Sequence, residues 1–520
     1  YVLAFVPKDG MFVEAFNSIL DEYNRLCKFG VTQTEVNRMM SAFVSESEKM
    51  LQKKDTIDSS SRADDIISYI VADSTVSIIS EEDSLALDLK YLPLITINDV
   101  TEAMKQYLPD NGTMCIVMAN ENAQIPSEEE IMAMWKSYAS AEDIEAYVDD
   151  VDDDPLMEKP AVKAAIVSQE HIDVLDANKY VLENGLTIYT RKSDYEQNKI
   201  VMDAVSFGGT NILDEKDIPN AIYSAMFACN SGAGKFNRAQ FSKKIQSKQI
   251  SLNISCNSTT DQISGSSTIN DFETLLQATC LYVNEPAFSD DSWANVMAQA
   301  QAVAEAHGTQ PEDAFFDKVR EVLYKNDLRH TAIVPEILPL LNKESAERIY
   351  RERFTNAADW SFIFTGDFNE EELVDLCCYY LGTIPGDASK KESAVYPEHY
   401  FPSGCPVETV NKGLSNKGTV FIAFGGELPE AKDVDETYYD ITMLNQLRNY
   451  LDMKLHYTIR EDKSGTYGVS VSNSLDGNNP RFYEFQIYFE CDPEREDELS
   501  SEVLKVINDL KTKPAEMETI

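Results

Sequence analysis

Apolar residues recur at three- and four-residue steps at the start of the chain and at two-residue steps later on. Phe12, Phe16, Ile19, Tyr23 and Leu26 lie on one face of a helix predicted from Met11 to Phe29 and stopped by Gly30. Thr32 and Glu35 have the spacing of a capping box, and the helix they open should turn Val36, Met39 and Phe43 inward. "SSSRADDIISYIVAD" and "TINDVTEAMKQYL" read as two more helices, the second ended by Pro109. The opening "YVLAFVPKDG" reads as a strand running into a turn, and Gly112 to Ala119 as a buried strand. Past Lys179 the period falls to two. "KYVLENGLTIYTRKSD" predicts a hairpin turning at Asn184-Gly185, followed by the strand "KIVMDAVSFGG". A helical stretch from Pro219 to Ala228, polar strands in "ISLNISCNSTTDQISGSSTI" and helices over Phe272–Val283 and Asp291–Ala306 come next. "SFIFTGDFNEEELVDLCCYYL" is a strand, a turn and a helix. The last part predicts a strand from Thr419 to Phe424 and a long helix from Glu436 to Ile459, with Met443, Leu447, Tyr450, Leu451 and Leu455 inward. The strand "FYEFQIYFEC" and a helix from Leu499 to Leu510 close it.

Charge marks the main boundary. Between Glu142 and Glu158 there are nine acidic residues and no basic one, the pattern of a solvated, self-repelling linker. A calcium-loop reading of "DDVDDDP" fails, because the sixth and twelfth positions counted from Asp150 are Pro155 and Ala161 rather than Gly and Glu. The formal net charge of the 520 residues is -44, which argues against a nucleic-acid partner. No run of 18 apolar residues occurs, so no membrane span is expected. The nine cysteines form no C-x-x-C pair and read mostly as small buried hydrophobes.

Two stretches repeat earlier ones. Met114 and Ile116 fall on Trp360 and Phe362, with Leu108 on Phe354, at an offset of 246. Phe12, Phe16, Ile19, Leu20 and Tyr23 fall on Leu499, Val503, Val506, Ile507 and Leu510 at an offset of 487. Self-similarity of this kind points to a duplicated domain. By the second offset both ends of the sequence cut through a repeat, so a fragment of a longer polypeptide is expected.

Four stretches, in order, resemble the pitrilysin/insulinase (M16) zinc peptidases. They are "VLENGLTIYTRKSD…KIVMDAVSFGGTN", "NEPAFSDDSWANVMAQAQAV", "FTNAADWSFIFTGDFNEEELVDLCCYYLGTIP" and "LDMKLHYTIREDKSGTYGVSV". The resemblance implies an α+β fold of repeated M16-type domains, each a mostly antiparallel sheet packed with helices. It lays them out as the end of domain two over residues 1–139, an acidic linker over 140–175, domain three over 176–390 and most of domain four over 404–520. It also implies a chamber for peptide substrates and a zinc ion held in domain one by H-x-x-E-H, whose two histidines share one helix face. The five histidines here include no pair four apart, and the domain-three helix carries Ala221, Ser224 and Ala225 where ligands and base would stand. The expectation is therefore zinc in the parent enzyme and none in this chain, with the zinc-bearing N-terminal domain as partner. The bacterial members suggest a periplasmic location.

The same resemblance gives roles to Arg460 and Tyr467 in "IREDKSGTYG": donation to substrate carbonyls and stabilisation of the oxyanion. The residues themselves leave another reading open, an arginine capping a helix end and a tyrosine packed in a sheet. A phosphate loop is absent from "CNSGAGK", since Cys229 and Phe236 break the motif, and no Gly-x-Ser-x-Gly occurs. The function expected is peptide hydrolysis by the parent. The alternatives are a non-catalytic scaffold subunit and a peptide-binding chamber without hydrolysis.

Overall fold

The computed structural model describes residues 2–7, 10–71, 77–107, 114–119, 123–138, 144–149, 154–395, 401–462, 468–476 and 481–512. The chain divides into two compact units. The first comprises Tyr1–Thr210, Asn220–Gln299 and Leu341–Ala394, and the second Asn211–Pro219, Ala300–Leu340 and Val395–Ile520.

The first unit opens with six helices: α1 (Phe12–Phe29), α2 (Gln33–Gln52), α3 (Ser59–Val71), α4 (Glu81–Tyr91), α5 (Ile97–Tyr107) and α6 (Glu128–Tyr138). The capping box forms as the spacing predicts, with Thr32 and Glu35 each satisfying the other's backbone N–H. Phe16 and Leu20 are buried, and so is Val36, but Met39 and Phe43 are exposed. The described parts of the two apolar segments read as strands are not strands. Residues 2–7 and 114–119 have no regular structure, and Val2, Val6, Met114, Ile116 and Met118 are largely exposed. A strand is held by its ladder, and no described strand lies beside either segment to supply one.

A seven-stranded sheet forms the core of this unit: β1 (Ile166–Ile172), β2 (Ala177–Leu182), β3 (Thr187–Lys192), β4 (Ile200–Phe207), β5 (Ile250–Cys256), β6 (Thr260–Ser267) and β7 (Ser361–Gly366). The spatial order is β1-β2-β3-β7-β4-β6-β5, and every pair is antiparallel except β3–β7. Ile188 and Ala204 flank Phe362, and Thr190 and Met202 flank Phe364, so one face is a continuous buried layer. The β2–β3 turn falls at Asn184-Gly185, where Gly185 has φ 87° and lies close against Ala358. The Asn184 amide donates to the Leu381 and Ile384 carbonyls at 3.0 and 2.9 Å.

Six helices complete the unit among the described residues: α7 (Ile218–Ser231), α8 (Arg238–Ile245), α9 (Phe272–Asn284), α10 (Asp290–Ala306) up to Gln299 and, beyond the segment given to the second unit, the α12 and α13 helices over Lys343–Phe354 and Glu370–Tyr380. The acidic stretch is less solvated than its charge predicts. Asp149 is almost fully buried, 2.6 Å from the Arg38 guanidinium, and Leu156 is buried with its N–H on Gln277. The strand β1 lies inside residues 140–175 as well; its side chains are nearly all exposed, so no apolar alternation signals it.

In the second unit α11 (Pro311–Tyr324) sets Phe316 6.2 Å from Tyr488. Its place in sequence lies within 176–390, yet its apolar face packs in this unit. A three-stranded antiparallel sheet, β8 (Gly418–Leu428), β9 (Val469–Asp476) and β10 (Arg481–Cys491), has the order β8-β10-β9. The helices α14 (Val434–Leu455) and α15 (Glu496–Thr512) accompany it. Leu451 and Leu455 are buried as the periodicity predicts, whereas Met443 and Leu447 are exposed. Four of the nine cysteines are buried, Cys280, Cys377, Cys378 and Cys491, which is fewer than composition suggests; Cys27, Cys115 and Cys405 are exposed. Among the described residues no helix is long and apolar enough to cross a membrane.

One buried ion pair fastens the first unit. Arg353 on α12 donates through Nε and Nη2 to Asp261 Oδ2 of β6 at 2.9 and 2.7 Å and through Nη2 to the Phe207 carbonyl at 3.0 Å. Its remaining nitrogen pairs with Glu392. Both Arg353 and Asp261 side chains are essentially inaccessible. Removing one partner leaves a buried, uncompensated charge, so Arg353→Met should cost about 3–5 kcal/mol in urea unfolding. A loss below about 1 kcal/mol would show that the pair holds nothing.

Candidate functional site

The sequence around Arg460 folds as a helix that widens at its end. The apolar residues Leu451, Leu455 and Ile459 are spaced by four and all are buried. After Leu455 the helix continues as a π turn over His456–Asp462. The His456 N–H is shared between the Asp452 and Met453 carbonyls at this junction. Single π turns inside or at the end of α-helices recur at functional sites.

This turn is held by a core rather than by propensity. The paired rows Val420–Phe489–Val469 and Ile422–Ile487–Val471 run across the three strands. Leu451, Leu455 and Ile459 of the helix and Leu499 and Val503 of α15 join the same buried cluster. Ile459 is 0% exposed, and its neighbour Arg460 is exposed. One residue is thus sealed in the core while the next stands in solvent.

Polar contacts add to the clamp between α14 and the sheet. The Arg481 guanidinium, buried at the start of β10, pairs with Asp440 at 2.7 Å and donates through Nε to the Pro429 carbonyl. Asn473 donates to Asn445 Oδ1 at 3.2 Å. The Asp452 carboxylate accepts from the Val471 N–H at 3.3 Å. Asp452 therefore ties the last α-helical turn before Arg460 to the edge strand β9.

Arg460 Nη1 lies 2.8 Å from His456 Nε2. No carboxylate among the described residues pairs with Arg460. Tyr467 lies outside the described residues, which resume at Gly468, one residue before β9 begins. The structure thus places Arg460 on an exposed turn. Sequence reasoning passed over His456 and Asp452. The signal for His456 was its place four residues before Arg460, the spacing at which helical side chains meet.

The α7 residues that the resemblance sets against the zinc helix have the wrong chemistry for that metal. Ala221 and Ser224 are 0% exposed, Ala225 is 5% exposed, and Ser224 Oγ donates to the Ala221 carbonyl at 2.8 Å. Two methyl groups and a committed hydroxyl do not fit a zinc ion, whose protein ligands are thiolate, imidazole or carboxylate. No step through zinc is assigned to these residues.

Residues 341–520 match the family described as Peptidase M16 inactive domain. The chain is 22% identical over 516 residues to the Escherichia coli protein described as "Probable zinc protease PqqL", covering 95% of this chain and 52% of that protein. It is 21% identical over 519 residues to the Arabidopsis thaliana "Zinc protease PQQL-like", covering 94% and 50%. The crystal structure of the periplasmic protease PqqL from Escherichia coli superposes with a TM-score of 0.66 at 20% identity, over 98% of this chain and 55% of that one. The chain thus spans about half the length of the curated relatives it matches. The resemblance drawn from the sequence is borne out as a likeness: residues 341–520 match the M16 inactive domain, and the chain has the mixed helix-and-sheet fold of M16 protease domains.

A hydrogen bond to a charged group contributes about 1.5–3 kcal/mol. Asp452→Ala should therefore speed hydrogen exchange at the Val471 amide by about tenfold or more, with little change at amides of β10. An unchanged Val471 rate would mean that the helix and β9 are not coupled through this contact.

Proposed function

We propose that this chain is the substrate-chamber half of an M16 zinc endopeptidase that hydrolyses peptides, with the zinc carried by an N-terminal domain outside this chain. In this reading residues 1–139 end domain two, 140–175 connect the halves, 176–390 are domain three and 404–520 belong to domain four. The compartment is the periplasm, as for the Escherichia coli protease.

One observation carries the reading. Arg460 stands exposed on a π turn whose neighbouring residue is locked in the core, at the position where the family resemblance puts a substrate-contacting arginine. A guanidinium is permanently charged and offers five N–H donors, which suits it to peptide carbonyls and to the charge that develops on them. A rigid backbone beneath it lowers the cost of holding that donor in place. Tyr467 follows as the second donor, its hydroxyl serving the oxyanion. The unsuitability of Ala221, Ser224 and Ala225 for zinc supports a division of labour in which this half contacts the peptide and the other half carries the metal.

A second reading, a non-catalytic scaffold or peptide-binding chamber, is favoured by the same absence of ligands at α7. The two part at the sequence of the zinc-bearing domain, where H-x-x-E-H supports hydrolysis and its loss supports a scaffold.

In the full-length protein, Arg460→Ala and Tyr467→Phe should each lower kcat on a mixed peptide library by about 10²–10³-fold, the usual loss for one oxyanion-stabilising donor. Thermal unfolding of the Arg460→Ala variant should stay unchanged, because Arg460 is exposed. Wild-type turnover in both variants would overturn the proposal.

A further inference from the structure

We infer that His456 is a positioning residue for Arg460, an inference that rests on the function proposed above for that arginine. The guanidinium has donors only, so in the 2.8 Å contact between Arg460 Nη1 and His456 Nε2 the arginine donates and the imidazole accepts. That assignment fixes the ring. Nε2 carries the lone pair, and the proton of the neutral imidazole sits on Nδ1.

The contact has a specific use on this turn. An exposed arginine is rich in rotamers, and a free side chain loses that entropy when it orders on a substrate. Here the backbone is already fixed, because Ile459 is buried in the cluster shared with Val469 and Val471. The imidazole then fixes the tip of the side chain through one of its five N–H groups. The guanidinium stays exposed, and among the described residues it has no other hydrogen bond or ion pair, so its remaining donors can meet a peptide carbonyl. His456 itself is half-buried at the junction of α14 and the π turn, where its own N–H is held by the Asp452 and Met453 carbonyls. Asp452 is in turn tied to β9 through the Val471 N–H. The chain of contacts runs from the edge strand through the helix end to the guanidinium. It is a supporting layer of the kind that holds a functional side chain in its productive geometry.

The test uses the full-length protein and a fluorogenic peptide substrate, with kcat and KM measured separately. His456→Asn should lower kcat by about tenfold with KM changed less than about twofold, because the shorter amide cannot reach the Nε2 position. His456→Gln, whose carbonyl oxygen can occupy that position, should stay within about threefold of wild type. In the Arg460→Ala background His456→Asn should have no further effect, since coupled residues are not additive. Wild-type kcat for His456→Asn, with Arg460→Ala slow, would overturn this inference and leave the proposed function standing. Equal losses for the Asn and Gln variants, or a full His456→Asn loss in the Arg460→Ala background, would also overturn it. If Arg460→Ala turns over at the wild-type rate, or the wild-type protein cleaves no peptide, the underlying reading falls and this inference with it.

Discussion

The second unit depends on one packing constraint: the burial of Ile459 in the same apolar cluster as Val469 and Val471. A helix end and a strand start are otherwise the first parts of a fold to fray, because each has unsatisfied backbone groups and few neighbours. Here the last buried residue of the helical run and the first buried residues of β9 share one core. Burying an isoleucine contributes about 1.5–3 kcal/mol, and much of that would be forfeited if the turn moved away from the sheet. The backbone at 459–460 is therefore set by apolar packing.

The π turn follows from this constraint together with the sequence beneath it. Leu451, Leu455 and Ile459 step by four, which suits a helix face that drifts slowly around its axis. The wider turn after Leu455 keeps Ile459 over the sheet and presents His456 and Arg460 together. Polar ties reinforce the geometry at other heights along α14, through Asp440 to Arg481, Asn445 to Asn473 and Asp452 to Val471. Contacts of this kind specify register and angle, while the apolar rows across β8, β10 and β9 provide the stability.

How far the sequence was legible varies with the kind of signal. The hairpin at Asn184-Gly185, the alternating β4 and the capping box at Thr32 were readable because each is a local rule: a turn that needs a positive φ, a period of two, a reciprocal pair of hydrogen bonds. The strand β1 was not, because it is paired on an edge with its side chains exposed, and a strand made by its ladder alone leaves no apolar trace. The reverse error occurred at 114–119, where apolar residues have the look of a strand but no described strand pairs with them. Met443 and Leu447 show the same limit on α14: periodicity marks an apolar face without saying that something covers it. Within the candidate site, Arg460 was legible by resemblance and His456 was not, since a contact between side chains four apart depends on the local helix type.

By itself the sequence determined the hairpin at Asn184-Gly185, the alternating β4, the capping box at Thr32, the apolar faces and the lack of metal-ligand side chains at Ala221, Ser224 and Ala225. These are local properties, written in residue type and spacing. The tertiary structure alone decided that Ile459 is sealed while Arg460 is exposed, that Asp149 and Arg353 are buried in ion pairs, and that an imidazole accepts from the arginine. Such outcomes turn on which distant segments share a core. Burial and hydrogen bonding are set by neighbours in space, and one-dimensional periodicity names the surface that seeks a neighbour without naming the neighbour.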